Sequence, residues 1–514
     1  MTSTSHAPDL LHADGRSVHK GIALVVVAIA QLMVVLDATI VNVALGDISK
    51  ALHVRSQADL SWIVTSYTLT FGGFLLLGGK IADRVGRRAV FVTGAGLFAF
   101  ASLLGGLSGN LGLLIAARAL QGVGGAMMSP AALSLLTVIF KEGDERNRAL
   151  GIWAGITAGG AALGLILGGL LTEYASWRWV FLVNVPIAAI AITGAFKFVP
   201  ESKDNRASTF DVPGALLVTS GLMSLVYALV RGNEDGWGST STVTTLVLSA
   251  VLLTGFVYVQ RTSANPLLPT RVLRIRTVLG ADIASLFVGA GVFAIFFFVI
   301  LWFEQVNNWS PIRAGLAFLP MPFCIGISAG IASKLIGKFG TRPFLLVGPL
   351  LASSGLLQLG FRLTPDSSYA GTVLPALACV ALGMGLTFVA LTSSAVAGVP
   401  HADAGIASAL LSAGQQMGGA LGLAILTAVS ASRSSSLLPG FTTKTHEVLQ
   451  GFSSGHVTPA LLALRHTVNN ALVSGWSTGF LVGACFLITA AAIATTLVKV
   501  SKEAAEAALH EPIA

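Results

Sequence analysis

Charged side chains are what this sequence has least of. They make up 11% of 514 residues, against 54% apolar, and the mean hydropathy is +0.80. Ordinary soluble domains carry roughly 25% charged residues, so the shortage excludes a soluble globular chain and leaves an integral membrane protein. Apolar runs of about 20 residues are too long for barrel strands and suit helices, which satisfy every backbone hydrogen bond in lipid. Cysteine is nearly missing as well. Cys324, Cys379 and Cys485 all fall in apolar runs, which fits packed thiols and excludes a disulfide framework. No P-loop GxxxxGK[ST], no HExxH pair and no nucleophile elbow is read, so nothing points to a membrane enzyme or to ATP hydrolysis. The first twenty residues are polar, contain acids and lack the layout of a signal peptide. They read as a cytosolic tail whose three scattered histidines make no metal site.

What is present is a series of fourteen apolar runs. They lie near residues 21–45, 60–81, 89–108, 111–140, 149–172, 179–199, 212–231, 242–260, 277–303, 313–336, 343–361, 370–398, 405–430 and 475–499. Lys80, Arg84, Arg87, Arg88, Lys141, Arg146, Arg148, Lys197, Lys203, Arg206, Arg261, Arg271, Arg274, Arg276, Lys334, Lys338 and Arg342 share one loop parity. By the positive-inside rule that parity is cytosolic, and with it both termini. The net charge of +8 then reflects topology; no soluble basic domain exists to hold nucleic acid. The expected organisation is all-α: tails at 1–20 and 501–514, six-helix bundles at 21–200 and 277–500, and two inserted helices with polar linkers at 201–276. An external loop is expected at 431–474, in which PALLALRHTVNNAL forms either a packed connector or an amphipathic surface helix.

The two bundles carry a faint repeat. GGKIADRVGRRAVF follows span two and ASKLIGKFGTRPFL follows span ten; an offset of 254 residues lays Gly86 on Gly340 and Arg88 on Arg342. Internal repeats of this kind build many transporters, with the substrate site at mid-membrane between the halves. With LDATIVNVAL in span one, GGKIADRVGRR after span two, RALQGVGGAMMSPA in span four and GGAALGLILGGLLTEYASWRWVFLVNVPIA across spans five and six, the chain resembles a known family. NNWSPIRAGLAFLP at span ten and DAGIASALLSAGQQMGGALG in span thirteen complete the set. The family is the fourteen-span drug:proton antiporter branch of the major facilitator superfamily, and the resemblance runs from Gly21 to about Val500. It implies two six-helix bundles that rock about a central cavity, exporting lipophilic, often cationic compounds in exchange for protons. The implied partners are a lipophilic small molecule, protons and the bilayer, with no cofactor beyond the coupling proton, and the chain is expected to be a monomer in the cytoplasmic membrane.

Asp37 and Arg118 are charges inside hydrocarbon, where a carboxylate costs about 3 kcal/mol and is functional by default. Asp37 lies about 24 Å along span one and Arg118 about 10 Å down span four, so both reach a similar depth. A structural ion pair is one reading. The family resemblance favours the other, in which Asp37 carries the exchanged proton and Arg118 tunes it. Gln121 and Gly125 share the helical face of Arg118, whereas Asn42 lies about 140° from Asp37; with Glu304, these residues are the candidate cavity lining. In GGKIADRVGRR, positive-inside anchoring accounts for the arginines alone. The resemblance makes Gly79, Asp83, Arg84, Gly86, Arg87 and Arg88 a cytosolic gate latch. Gly160, Gly164, Gly168 and Gly169 correspond to the family's span-five antiporter motif, although a small-residue row also serves plain helix packing. The family's usual proline after the middle glycine is Leu165 here, and Gly46 replaces the one after the span-one motif. Leu165 in place of the span-five proline leaves a proton-coupled symporter for uptake of a nutrient or siderophore, on the same fold, as the alternative. Glu304 sits among Trp302, Phe303 and Trp309, rings expected to form an interfacial belt. Asp282 is expected near the inner interface.

Overall fold

The structure, a computed structural model, describes residues 19–54, 56–140, 144–203, 211–263, 266–268, 270–397, 399, 401–441, 443–445, 447, 448 and 458–498. Among these residues every regular element is helical. Spans one (Lys20–Ala51), two (Gln57–Val85), three (Arg87–Gly106), four (Leu111–Ile139), five (Asp144–Tyr174) and six (Trp179–Phe198) pack as one bundle. Spans nine (Arg276–Val306), ten (Pro311–Phe339), eleven (Arg342–Arg362), twelve (Tyr369–Val396), thirteen (His401–Leu437) and fourteen (Pro459–Leu497) pack as the other. Spans seven (Val212–Glu234) and eight (Thr240–Thr262) are the inserted pair. Among the described residues thirteen of these helices are long and apolar enough to cross a membrane, and span five contains the shorter apolar stretch Gly159–Tyr174.

Side-chain caps start several spans where the sequence places Ser, Asn or Thr. Ser56, Asn110, Ser239 and Thr458 each accept the backbone N–H three residues on, satisfying a donor that the helix leaves free. The repeat is visible in the backbone. Gly86 and Gly340 end spans two and ten at φ 136° and 75°, a region open to glycine at little cost. It extends to packing: Gly164 and Gly168 lie on the backbone of Leu36 and Ile40, and Gly418 and Gly422 lie on that of Leu286 and Ala290. Between spans one and nine this packing corresponds to a step of 250 residues, which carries Asp37 onto Phe287, so the Asp37–Arg118 pair has no counterpart at the matching position.

Two expectations are corrected. The segment 431–474 is not mainly a loop: span thirteen runs on to Leu437, and PALLALRHTVNNAL is the start of the continuous 39-residue span fourteen. Leu461, Val468, Ala471 and Leu472 are buried there, and the Ser434 hydroxyl donates to the Ala471 carbonyl at 3.0 Å, so the two helices go on packing against each other. The rings around Glu304 are not an interfacial belt either. Trp302 and Phe303 are buried, Phe303 stacks on Trp309 at 4.5 Å, and the Trp302 indole donates to the Thr364 carbonyl. They fill the core between spans nine, ten and twelve, where their area contributes more than at a lipid surface.

Spans two and thirteen pack along their length, and the hydrogen bonds between the halves lie at the end opposite the basic loops. There the Gly46 N–H donates to Glu304 Oε2 at 3.1 Å, the Ile312 N–H to Glu173 Oε2 at 3.1 Å, and the Trp476 indole to Gln57 Oε1 at 2.9 Å. Gly169 and Gly315 let spans five and ten interlock backbone to backbone. Nearer mid-membrane, Gly72 of span two lies against Ala413 and Gln416 of span thirteen. Span seven covers this seam from the side through Ala215 and Val218, which pack with Leu76, Leu77 and Met417.

Candidate functional site

Four helices converge on Asp37. Span one supplies the carboxylate, span four Arg118 and Gln121 one turn apart on the same face, span three Ser102 and span six Asn184. Arg118 Nη1 donates to Asp37 Oδ2 and, at 2.9 Å, to Gln121 Oε1; its Nε donates to the Ile63 carbonyl at 3.0 Å. Asp37 Oδ1 accepts from Gln121 Nε2 and from Asn184 Nδ2, both at 3.0 Å, and Gln121 Nε2 also donates to Ser102 Oγ at 2.6 Å. The Tyr67 ring lies 4.3 Å from the Arg118 guanidinium carbon and the Phe181 ring 5.9 Å. Asp37, Gln121 and Asn184 have no exposed surface and Arg118 has 1%. One carboxylate oxygen therefore faces a cation and the other two amide donors, all closed off from bulk solvent. Geometry of this quality is what offsets the desolvation of a buried pair.

The remaining candidates divide. Asn42 is buried and donates to its own helix at the Ala38 carbonyl, 3.1 Å away. Gly125 makes room for the Phe71 and Phe98 rings. Glu304 is remote from Asp37, in the seam between the halves. In the turn after span two, the Arg87 guanidinium holds Asp83 at 2.9 Å, Gly86 leaves room for the Glu201 carboxylate, and that carboxylate accepts the N–H groups of Arg88 and Ala89 at 3.0 and 3.1 Å. Arg88 Nη1 also donates to the Val199 carbonyl, and Lys80 donates to the Pro266 carbonyl in the linker after span eight. Gly79 faces Pro130, and Arg84 lies exposed on the last turn of span two. Gly160 packs on Leu32 and Val35 of span one, alongside Gly164 and Gly168, while Gly169 turns to Ile312.

Sequence reasoning missed three polar members of the Asp37 cluster. Ser102, Asn184 and the Ile63 carbonyl sit on other helices, and the only signal was a lone Asn in the apolar run of span six. Asp282, near the inner end of span nine, is buried, and neither carboxylate oxygen has a hydrogen-bond partner among the described residues. The pattern GxSxG does occur, at Gly326–Gly330. Ser328 there lies mid-helix with its hydroxyl bonded to the Cys324 carbonyl, whereas a nucleophile elbow needs an exposed strand-to-helix turn.

Comparison with known proteins places this arrangement. Residues 27–423 match the Major Facilitator Superfamily model. The puromycin resistance protein of Streptomyces alboniger is 40% identical over 445 residues, 86% of this chain and 88% of that protein. The tetracenomycin C resistance and export protein of Streptomyces glaucescens is 33% identical over 92% of this chain and 90% of its own length. The cephamycin export protein of Amycolatopsis lactamdurans is 37% identical over 80% and 85%. Among solved structures, a bacterial homologue of the human lysosomal transporter Spinster superposes with a TM-score of 0.63 at 17% identity, covering 93% of this chain and 98% of that one. The xylose transporter of E. coli gives 0.58 at 14% identity, covering 95% and 99%. Two bundles with a repeated turn, a charge pair inside one of them and a matching family model over most of the length have one reading: the chain belongs to the Major Facilitator Superfamily, as a membrane transporter.

Proposed function

We propose that the protein is a proton-driven exporter of lipophilic, cationic antibiotics or drugs, working as a monomer in the cytoplasmic membrane with its basic loops and both termini in the cytosol. The observation that carries this reading is the buried Asp37–Arg118 pair. Relatives named for resistance to or export of puromycin, cephamycin and tetracenomycin C support the direction and the substrate class. In the observed state the far-end seam is shut and Asp37 is held by Arg118, Gln121 and Asn184. Opening that seam shifts span one against spans four and six and loosens those donors, and a proton from outside takes the place of the guanidinium. Return to the inward state re-forms the pair and expels the proton to the cytosol. The basic turn after span two is the latch that breaks and remakes at the cytosolic end, and the row Gly160, Gly164, Gly168 and Gly169 lets spans five, one and ten approach at the outer end. One proton entering down 100 mV supplies about 2.3 kcal/mol and each pH unit about 1.4 more, together enough for a gradient of several hundred-fold of a neutral substrate exchanged one for one; for a monovalent cation exchanged for one proton the voltage contributions cancel and each pH unit supports about tenfold.

The test is accumulation of a fluorescent lipophilic cation, and separately of puromycin, in cells expressing wild type or Asp37→Asn, with and without a protonophore. Wild type is expected to lower accumulation, and either change to abolish the effect. Greater accumulation in wild-type cells would reverse the direction to uptake, and export that survives both the protonophore and Asp37→Asn would remove the proton from the mechanism.

A further inference from the structure

Glu304 stands in the seam in a way that coupling at Asp37 does not use. It lies on a single π-helical turn, Trp302–Val306, that ends span nine; such turns widen a helix and recur at functional sites. Its Oε2 accepts the Gly46 N–H of span one at 3.1 Å, so one carboxylate ties the two halves together. A Cβ on Gly46 would overlap that oxygen, so a larger residue there displaces the carboxylate. The other oxygen, Oε1, is buried with no hydrogen-bond partner among the described residues. Among the described residues, the charged and titratable groups around this end are otherwise engaged: Lys50 pairs with Asp47 at 3.5 Å, Arg313 stacks on Trp309 at 4.0 Å, the Tyr369 hydroxyl donates to the Ala317 carbonyl, and Glu173 accepts the Ile312 N–H. Buried polar atoms are partnered as a rule, and an exception asks for an explanation. Inside a closed seam walled by Trp302, Phe303 and Val306, a proton is the smallest partner able to occupy Oε1.

We propose that Glu304 is a proton-binding latch: a proton taken up from the outer aqueous phase at Oε1 completes the carboxyl group and holds the outer end of the transport path shut. The step is a simple association; the proton comes from external water and returns to it when the seam opens. Taking the basic end as cytosolic, as proposed above, the latch lies about 14 Å outward of Asp37 along span one. It is a gate distinct from the coupling pair. Proton uptake there favours closure of the outer gate after substrate has left.

The experiment reads the seam without substrate or gradient, so its failure is distinguishable from failure of the export reading. In a full-length chain with Cys324, Cys379 and Cys485 changed to serine, Thr172→Cys, buried in span five beside the seam, is labelled in proteoliposomes with a membrane-impermeant maleimide added outside. Each rate is divided by that of Asp366→Cys, an exposed position, to remove the pH dependence of the thiol itself. The corrected rate is expected to be about tenfold lower in acidic than in alkaline outside buffer, the shift of a two-state seam. Glu304→Gln, which keeps an acceptor for Gly46 and carries its own donors, is expected to stay slow at both. Glu304→Ala and Gly46→Ala are expected to be fast at both, and Asp47→Asn to keep the wild-type pH response. A pH response that persists in Glu304→Gln, vanishes in Asp47→Asn or is absent from wild type overturns the proposal. Val306→Cys, on the other side of the seam, gives the same reading if Thr172→Cys does not assemble.

Discussion

At Arg118 the structural and the functional readings of a buried ion pair can be separated. Arg118 makes three hydrogen bonds and lies over the Tyr67 ring with 1% of its surface exposed, so removing it alone strands a buried carboxylate. Breaking such a pair from one side costs about 3–5 kcal/mol, whereas replacing both partners with apolar groups is often neutral. Arg118→Met is therefore expected to lower the melting temperature in detergent sharply, and Asp37→Leu with Arg118→Met to recover most of it. Transport is expected to stay absent in both. If the double variant regains export together with its stability, the pair is structural and the proton is carried elsewhere. The sequence showed these two residues and their common depth, because a charge in an apolar run is conspicuous at any position. It did not show Ser102 or Asn184, which become partners only when spans three and six are brought against span four.

Glycine rows show the same limit at the level of the helix. Span five has two of them at four-residue spacing, Gly151, Gly155, Gly159 and then Gly160, Gly164, Gly168, and the spacing alone does not say which faces span one. A Cβ on Gly168 would lie 2.8 Å from the Ile40 carbonyl, while one on Gly159 meets nothing within 4 Å. Gly168→Ala is expected to destabilise by about 1–3 kcal/mol through overpacking. Gly159→Ala is expected to stabilise by about 0.5–1 kcal/mol through helix propensity. Gly422→Ala in span thirteen, the repeat partner of Gly168, should behave as Gly168→Ala does because its neighbour is the rigid backbone of Ala290. Thermal unfolding of the three purified variants checks this, and equal effects at Gly159 and Gly168 would mean that span five meets span one by another face. The element boundaries that the sequence misplaced have a related cause. Span fourteen starts at Pro459 rather than near 475, because helix continues wherever span thirteen offers a packing partner, and hydropathy registers only the part in hydrocarbon.

Across the whole molecule, the seam is what no local pattern reveals. Its contacts join residues far apart in the chain, Gln57 with Trp476, Gly46 with Glu304 and Glu173 with Ile312, and each side chain has a sufficient local reading by itself. The sequence did contain the architecture that makes a seam necessary: two bundles related by repeat, one of them with a charge pair inside apolar spans. If the halves rock as rigid bodies, a strap across the outer end has to stop transport without disturbing the Asp37 cluster. Gln57→Cys with Trp476→Cys places two thiols across the gap now closed by the Trp476 indole and Gln57. Joining them with a short bifunctional maleimide is expected to abolish dye export, while either single variant treated in the same way retains it. A reducible linker is expected to restore export on reduction, which separates strapping from damage. Export that persists in the strapped protein would show that the path to the outside opens elsewhere, along the flank covered by span seven, where Val226 and Val230 pack with Trp62 and Leu69 of span two and with Ala420 and Ala424 of span thirteen.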